Sequence, residues 1–123
     1  VNRPVPAFIQ TILMALSLTS QEPSPQTAIC LDAERTLCLS CSIGDERATC
    51  TLTFGADTYD AVFALTEVTN PDDTEIGLCV GNYCAGCNAW KRRKQCWVMN
   101  KLAGYCRVQC DSGKPCTAGC KPV

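Results

Sequence analysis

The sequence of 123 residues contains no histidine. This removes the Ser-His-Asp triad, the Cys-His dyad, the His-Asp water activation of small lipases and any histidine-ligated catalytic zinc. Neither a G-x-x-x-x-G-K-S/T loop nor a G-x-G-x-x-G turn occurs, so the common phosphate cradles are missing too. There is no N-glycosylation sequon. Asn70 precedes proline, and Asn2, Asn82, Asn88 and Asn100 lack the hydroxyl residue two places on. A pair of carboxylates could still hydrolyse glycosides. Asp57, Asp60, Glu67, Asp72, Asp73 and Glu75 supply the number but no marked spacing, and they follow no EF-hand pattern. A solvated, acidic strand face is the simpler reading of them. No enzyme is expected.

Long apolar runs are scarce as well. Ala7 to Leu18 is too short to cross a bilayer and lacks the lysines and arginines of a membrane-lying helix. Within it Phe8, Ile9, Ile12, Leu13 and Leu16 recur at helical spacing behind Pro4 and Pro6. That pattern predicts an amphipathic helix starting near Pro6. A signal-peptide core cut near Ser20 and a membrane-surface or self-association helix are the competing readings. The expectation adopted is a helix that packs on the rest of the chain through Phe8, Ile12 and Leu16. Gln21 to Thr27 then reads as a proline-containing linker.

Cysteine, by contrast, is abundant. Twelve in 123 residues is the density of a disulfide scaffold in a short secreted chain, and an even number leaves no thiol over. Cys30-x7-Cys38-x2-Cys41-x8-Cys50 and Cys79-x4-Cys84-x2-Cys87-x8-Cys96 share a C-x2-C-x8-C core. The shared core reads as a duplication, which predicts equivalent partners for equivalent cysteines. Cys106, Cys110, Cys116 and Cys120 form a third group, C-x3-C-x5-C-x3-C. Two chemistries fit three groups of four. Six disulfides could staple an oxidised extracellular fold, with about ten thousand pairings open to twelve cysteines. Alternatively, each group could hold one structural zinc ion as a tetrathiolate, for which C-x2-C is the usual knuckle spacing. Disulfides without a cofactor are preferred, because C-x3-C is less usual for zinc and the interval from Cys30 to Cys38 is long. A thioredoxin-like role lacks its βαβ surroundings.

The net charge of −1 conceals an asymmetry. Residues 51–80 carry six acids and no base, whereas residues 81–123 carry eight bases and one acid. The bases are densest where Trp90 and Trp97 bracket Lys91, Arg92, Arg93 and Lys94. Guanidinium and ammonium groups suit sulfate, phosphate or an acidic protein patch, while indole faces suit stacking. Those six residues are the predicted contact surface for a protein, an anionic polysaccharide or a receptor. Nucleic acid would ask for the same features, but an extracellular setting disfavours it. A membrane surface would be met through the N-terminal helix. The plainer alternative is that the tryptophans pack on disulfides and the basic run is a solvated turn.

Between the cysteine groups, Leu52 and Phe54 alternate with threonines, and Tyr59, Ala61, Phe63 and Leu65 recur at period two. Two or three antiparallel strands are predicted over 51–80, with turns at Gly55-Ala56-Asp57 and Asn70-Pro71-Asp72-Asp73. From Gly81 onward, glycine and cysteine predict loops held by cross-links. The duplicated core resembles the small secreted cysteine-rich effectors and toxins of pathogens and venomous animals, and this resemblance of class implies action by binding. The expected fold is α+β, small and disulfide-rich, with a small antiparallel β-sheet and cysteine-stapled loops. Its parts are a helix and linker in 1–27, a first cysteine group with a β-hairpin region in 28–78, and a second with a basic C-terminal region in 79–123. The expected function is that of a secreted binding protein of toxin, effector or inhibitor type.

Overall fold

The computed structural model describes residues 26–73 and 77–123. Among them are nine strands and no helix. The first four are β1 (Thr27–Cys30), β2 (Leu37–Ile43), β3 (Arg47–Phe54) and β4 (Asp57–Ala64). The rest are β5 (Leu78–Val80), β6 (Tyr83–Trp90), β7 (Arg93–Asn100), β8 (Gly104–Asp111) and β9 (Thr117–Pro122). Each set forms an antiparallel sheet in simple chain order, β1-β2-β3-β4 and β5-β6-β7-β8-β9. The sheets lie against each other, β2 over β7 and β8, β1 over β8 and β9, and β3 and β4 over β6. The expected α+β fold is thereby corrected to all-β. The predicted N-terminal helix falls on residues outside the described ones, and the region read as cross-linked loops is four strands of the second sheet.

Alternation along each strand builds the shared core. Leu37, Leu39 and Cys41 of β2 and Ala48, Cys50, Leu52 and Phe54 of β3 are buried in one cluster with Ala85, Cys87, Cys96, Val98, Cys106 and Val108 of the second sheet. Tyr59, Ala61, Phe63 and Leu65 pack against it, as their period-two spacing predicts. On the opposite face of β4, Val62 is 62% exposed. Phe54 joins the layers by stacking on Tyr83 with ring centroids 5.0 Å apart.

β6 and β7 are buried on both faces through most of their length. Residues 66–73 reach the outer one. Ala89 N–H donates to the Thr66 carbonyl and Val68 N–H to that of Ala89. Asn88 Nδ2 donates to the Asp73 carbonyl at 2.9 Å. Gln95 Nε2 donates to the Pro71 carbonyl at 3.0 Å and to Asn88 Oδ1 at 2.8 Å. These bonds satisfy both groups of the Asn88 amide and the Gln95 amide nitrogen, while Gln95 Oε1 is buried without a partner among the described residues. Strands covered on both sides show no hydrophobic-polar alternation. That is why YCAGCNAW and RKQCWVMN read as loop.

All twelve cysteines are paired in six disulfides. Cys30–Cys38, Cys41–Cys50, Cys79–Cys84, Cys87–Cys96 and Cys106–Cys120 each join residues directly opposite in register. Cys110–Cys116 closes the β8–β9 turn. In both C-x2-C-x8-C cores the first cysteine of the close pair bonds back to the preceding strand and the second bonds forward. No thiolate remains for the three tetrathiolate zinc sites of the alternative reading. Nor does any bridge join one sheet to the other. Cleavage at a protease site inserted between Asp72 and Asp73 should therefore yield two fragments that separate in denaturant without reductant. A single product on a non-reducing denaturing gel would contradict this pairing.

Candidate functional site

The basic run forms the tip of the β6–β7 hairpin. Trp90 and Arg93 face each other in register, leaving Lys91 and Arg92 as the two turn residues. Lys91 has a φ of 55°, in the left-handed region that L-residues other than glycine and asparagine visit at a penalty of about 1–2 kcal/mol. The Glu67 carboxylate supports this backbone by accepting the Lys91 N–H at 3.1 Å. The neighbouring turn is tied on as well, since Ser112 N–H donates to the Arg92 carbonyl at 3.1 Å.

The side chains divide into two kinds. Arg93 and Lys94 are neutralised. Arg93 Nε pairs with Asp111 at 2.9 Å, and Lys94 Nζ with Asp45 at 3.4 Å. The second pair reaches from β7 to the turn between β2 and β3, so it also links the layers. Lys91 and Arg92 pair with no carboxylate among the described residues. Lys91 Nζ instead sits 4.7 Å from the Trp90 ring centre, and Arg93 Cζ lies 5.7 Å from it. Each exposed contact of this kind contributes about 0.5–1 kcal/mol and fixes the ammonium beside the indole. The result is an aromatic platform edged by cations.

Two concavities flank the tip. A hollow of about 310 Å³ is lined by Trp90, Lys91, Arg92, Arg93 and Asp111. A larger cleft of about 500 Å³ opens between the layers and includes Ile43, Asp45, Arg92, Lys94, Asp111 and Lys114. Arg92 and Asp111 line both.

Five of the six predicted contact residues thus come together. Trp97 does not join them at the surface: it stands opposite Gly86 in register and is 1% exposed. Sequence reasoning missed Asp111 and Asp45 as partners of the run. Asp111 was detectable as the single acid of residues 81–123. The acidic 51–80 stretch contributes Glu67 at the tip, and through a backbone amide. Elsewhere, Asp32 in the β1–β2 turn has its carboxyl held below the usual range by the Thr36 amide and then the Thr36 hydroxyl.

Three sulfurs, Sγ of Cys41, Cys50 and Cys96, lie within 4.8 Å of one another in the core. Each already belongs to a disulfide, so this density is a contact between two bridges and not a set of metal ligands. No protein-family model, curated protein or solved structure matches the chain.

Proposed function

We propose that this is a secreted, disulfide-stabilised binding protein of toxin, effector or inhibitor type that grips an anionic macromolecular partner with its β6–β7 hairpin tip. Six disulfides in so small a fold suit an oxidising compartment, and their number supports export from the cell. The observation that carries the binding role is Lys91. Two-residue hairpin turns favour glycine, asparagine or aspartate where φ is positive, yet a lysine stands there with its ammonium beside Trp90 and no carboxylate to meet. Local stability would be served by another residue; a cationic surface is served by this one. A complete absence of histidine supports a role in binding over catalysis.

Retention on an immobilised sulfated polysaccharide, eluted by salt, tests the reading against a neutral polysaccharide control. Passage through both columns alike would overturn it. Lys91→Gly offers a finer measure. Relief of the left-handed strain is offset by the lost Trp90 contact and the greater freedom of glycine in the unfolded chain, so stability should stay within about 1 kcal/mol of the parent. Elution should nonetheless move to lower salt.

A further inference from the structure

A second cationic site lies on the outer face of the β8–β9 pair, away from the hairpin tip. Register creates it. Tyr105 stands opposite Lys121, Arg107 opposite Gly119 and Gln109 opposite Thr117. Alternate residues of a strand share a face, so these positions form one patch with Gly119 at its centre. A Cβ added at Gly119 would meet nothing within 4 Å. The missing side chain leaves a notch of about 330 Å³, whose lining includes all six of these residues.

The lining holds a guanidinium, an ammonium, a phenol, an amide and a hydroxyl, and no carboxylate. The Arg107 guanidinium lies 5.7 Å from the Tyr105 ring centre, which restrains its plane at the edge of the notch. Its Nε is buried and has no hydrogen-bond partner among the described residues. Asp111, the nearest acid along β8, is already engaged by Arg93 at 2.9 Å. Among the described residues, none forms an ion pair with Arg107 or Lys121.

We propose that this notch binds a tetrahedral oxoanion, the sulfate or phosphate group of a larger ligand. Arg107 presents a planar fork of donors and Lys121 a compact charge, a combination suited to such a group. Gln109 and Thr117 add neutral donors, and Gly119 makes room for the anion to approach the strand backbone. The site is separate from the hairpin tip and stands whether or not that surface binds.

Inorganic sulfate and inorganic phosphate are the probes, each followed by NMR at the Gly119 amide and the Arg107 Nε–H. Sodium chloride at matched ionic strength is the control. Saturable shifts with sulfate, phosphate or both, absent with chloride, are expected, and the stronger responder identifies the ester. Gly119→Glu fills the open notch with a carboxylate and should weaken binding at least about tenfold, as should Arg107→Gln. Lys91→Glu should leave the response unchanged, which separates this site from the hairpin. Shifts that follow ionic strength alike for all three salts would overturn the proposal. So would saturable binding that survives Gly119→Glu at full strength.

Discussion

Replacing Cys41 and Cys50 together by alanine is expected to lower the melting temperature well beyond the same change at Cys30 and Cys38. The two bridges span almost equal stretches of chain, with sequence separations of 9 and 8. Their constraint on the unfolded state is therefore nearly the same, about 2–3 kcal/mol each. Surroundings separate them. Cys41 and Cys50 are each 1% exposed in the centre of the core, and Cys50 Sγ touches Cys87 Sγ of the opposite sheet at 4.0 Å. Bridged sulfurs carry no hydrogen, so that contact is dispersion between two disulfides. Cys30–Cys38 faces outward, with Cys38 8% and Cys30 more exposed.

Removing the inner pair also leaves a cavity where the sheets meet. That adds about 1–2 kcal/mol, for a total of about 3–5 kcal/mol. A domain of this size has about 5–15 kcal/mol in all, so thermal unfolding should fall by roughly 15 °C or more. Calorimetry on both double variants, with the other five bridges verified by mass, makes the comparison. Equal shifts would mean that the central sulfurs contribute no more than a cross-link.

Legibility in the sequence followed exposure. The alternation of Tyr59, Ala61, Phe63 and Leu65 was readable because the other face of β4 meets water, as Val62 does. β6 and β7 were not readable, because Asn88 and Gln95 occupy a buried face and their amide nitrogens are met by carbonyls of Asp73 and Pro71, far away in sequence. The C-x2-C motifs kept zinc open as the alternative to disulfides for a related reason. On a strand, residues three apart point to opposite faces, so Cys41 and Cys87 enter the core between the sheets while Cys38 and Cys84 lie on the other face of their strands, outside that cluster. Neither C-x2-C can close on one metal from such a strand. Spacings of four keep Cys106 and Cys110 on one face, and Cys116 lies four residues before Cys120. The nested pairing of Cys106–Cys120 around Cys110–Cys116 follows that geometry. The basic run was visible as a cluster, but its division into paired and unpaired cations was not, because Asp45 and Asp111 reach it through the fold.

That division gives the largest functional prediction. Reversing Lys91 and Arg92 together to glutamate should abolish retention on the anionic polysaccharide while leaving the fold intact, since neither side chain meets a carboxylate among the described residues. Two charges change sign at the tip, a net change of about four units, and at least a tenfold to hundredfold loss of affinity, about 1.4–2.8 kcal/mol, is the expected scale. Reversing Arg93 and Lys94 is a different experiment. It sets glutamates against Asp111 and Asp45, at 31–33% exposure for the first pair and with a fully exposed Asp45 in the second. Exposed pairs of this kind contribute up to about 1 kcal/mol each, so that variant should lose both affinity and about 1–2 kcal/mol of stability. The comparison separates a contact surface from a solvated turn. If the Lys91 and Arg92 reversal spares binding, or if binding ignores ionic strength between dilute and physiological salt, the tip is not an electrostatic contact, because the screening length of exposed charges falls from about 30 Å to about 8 Å between those conditions.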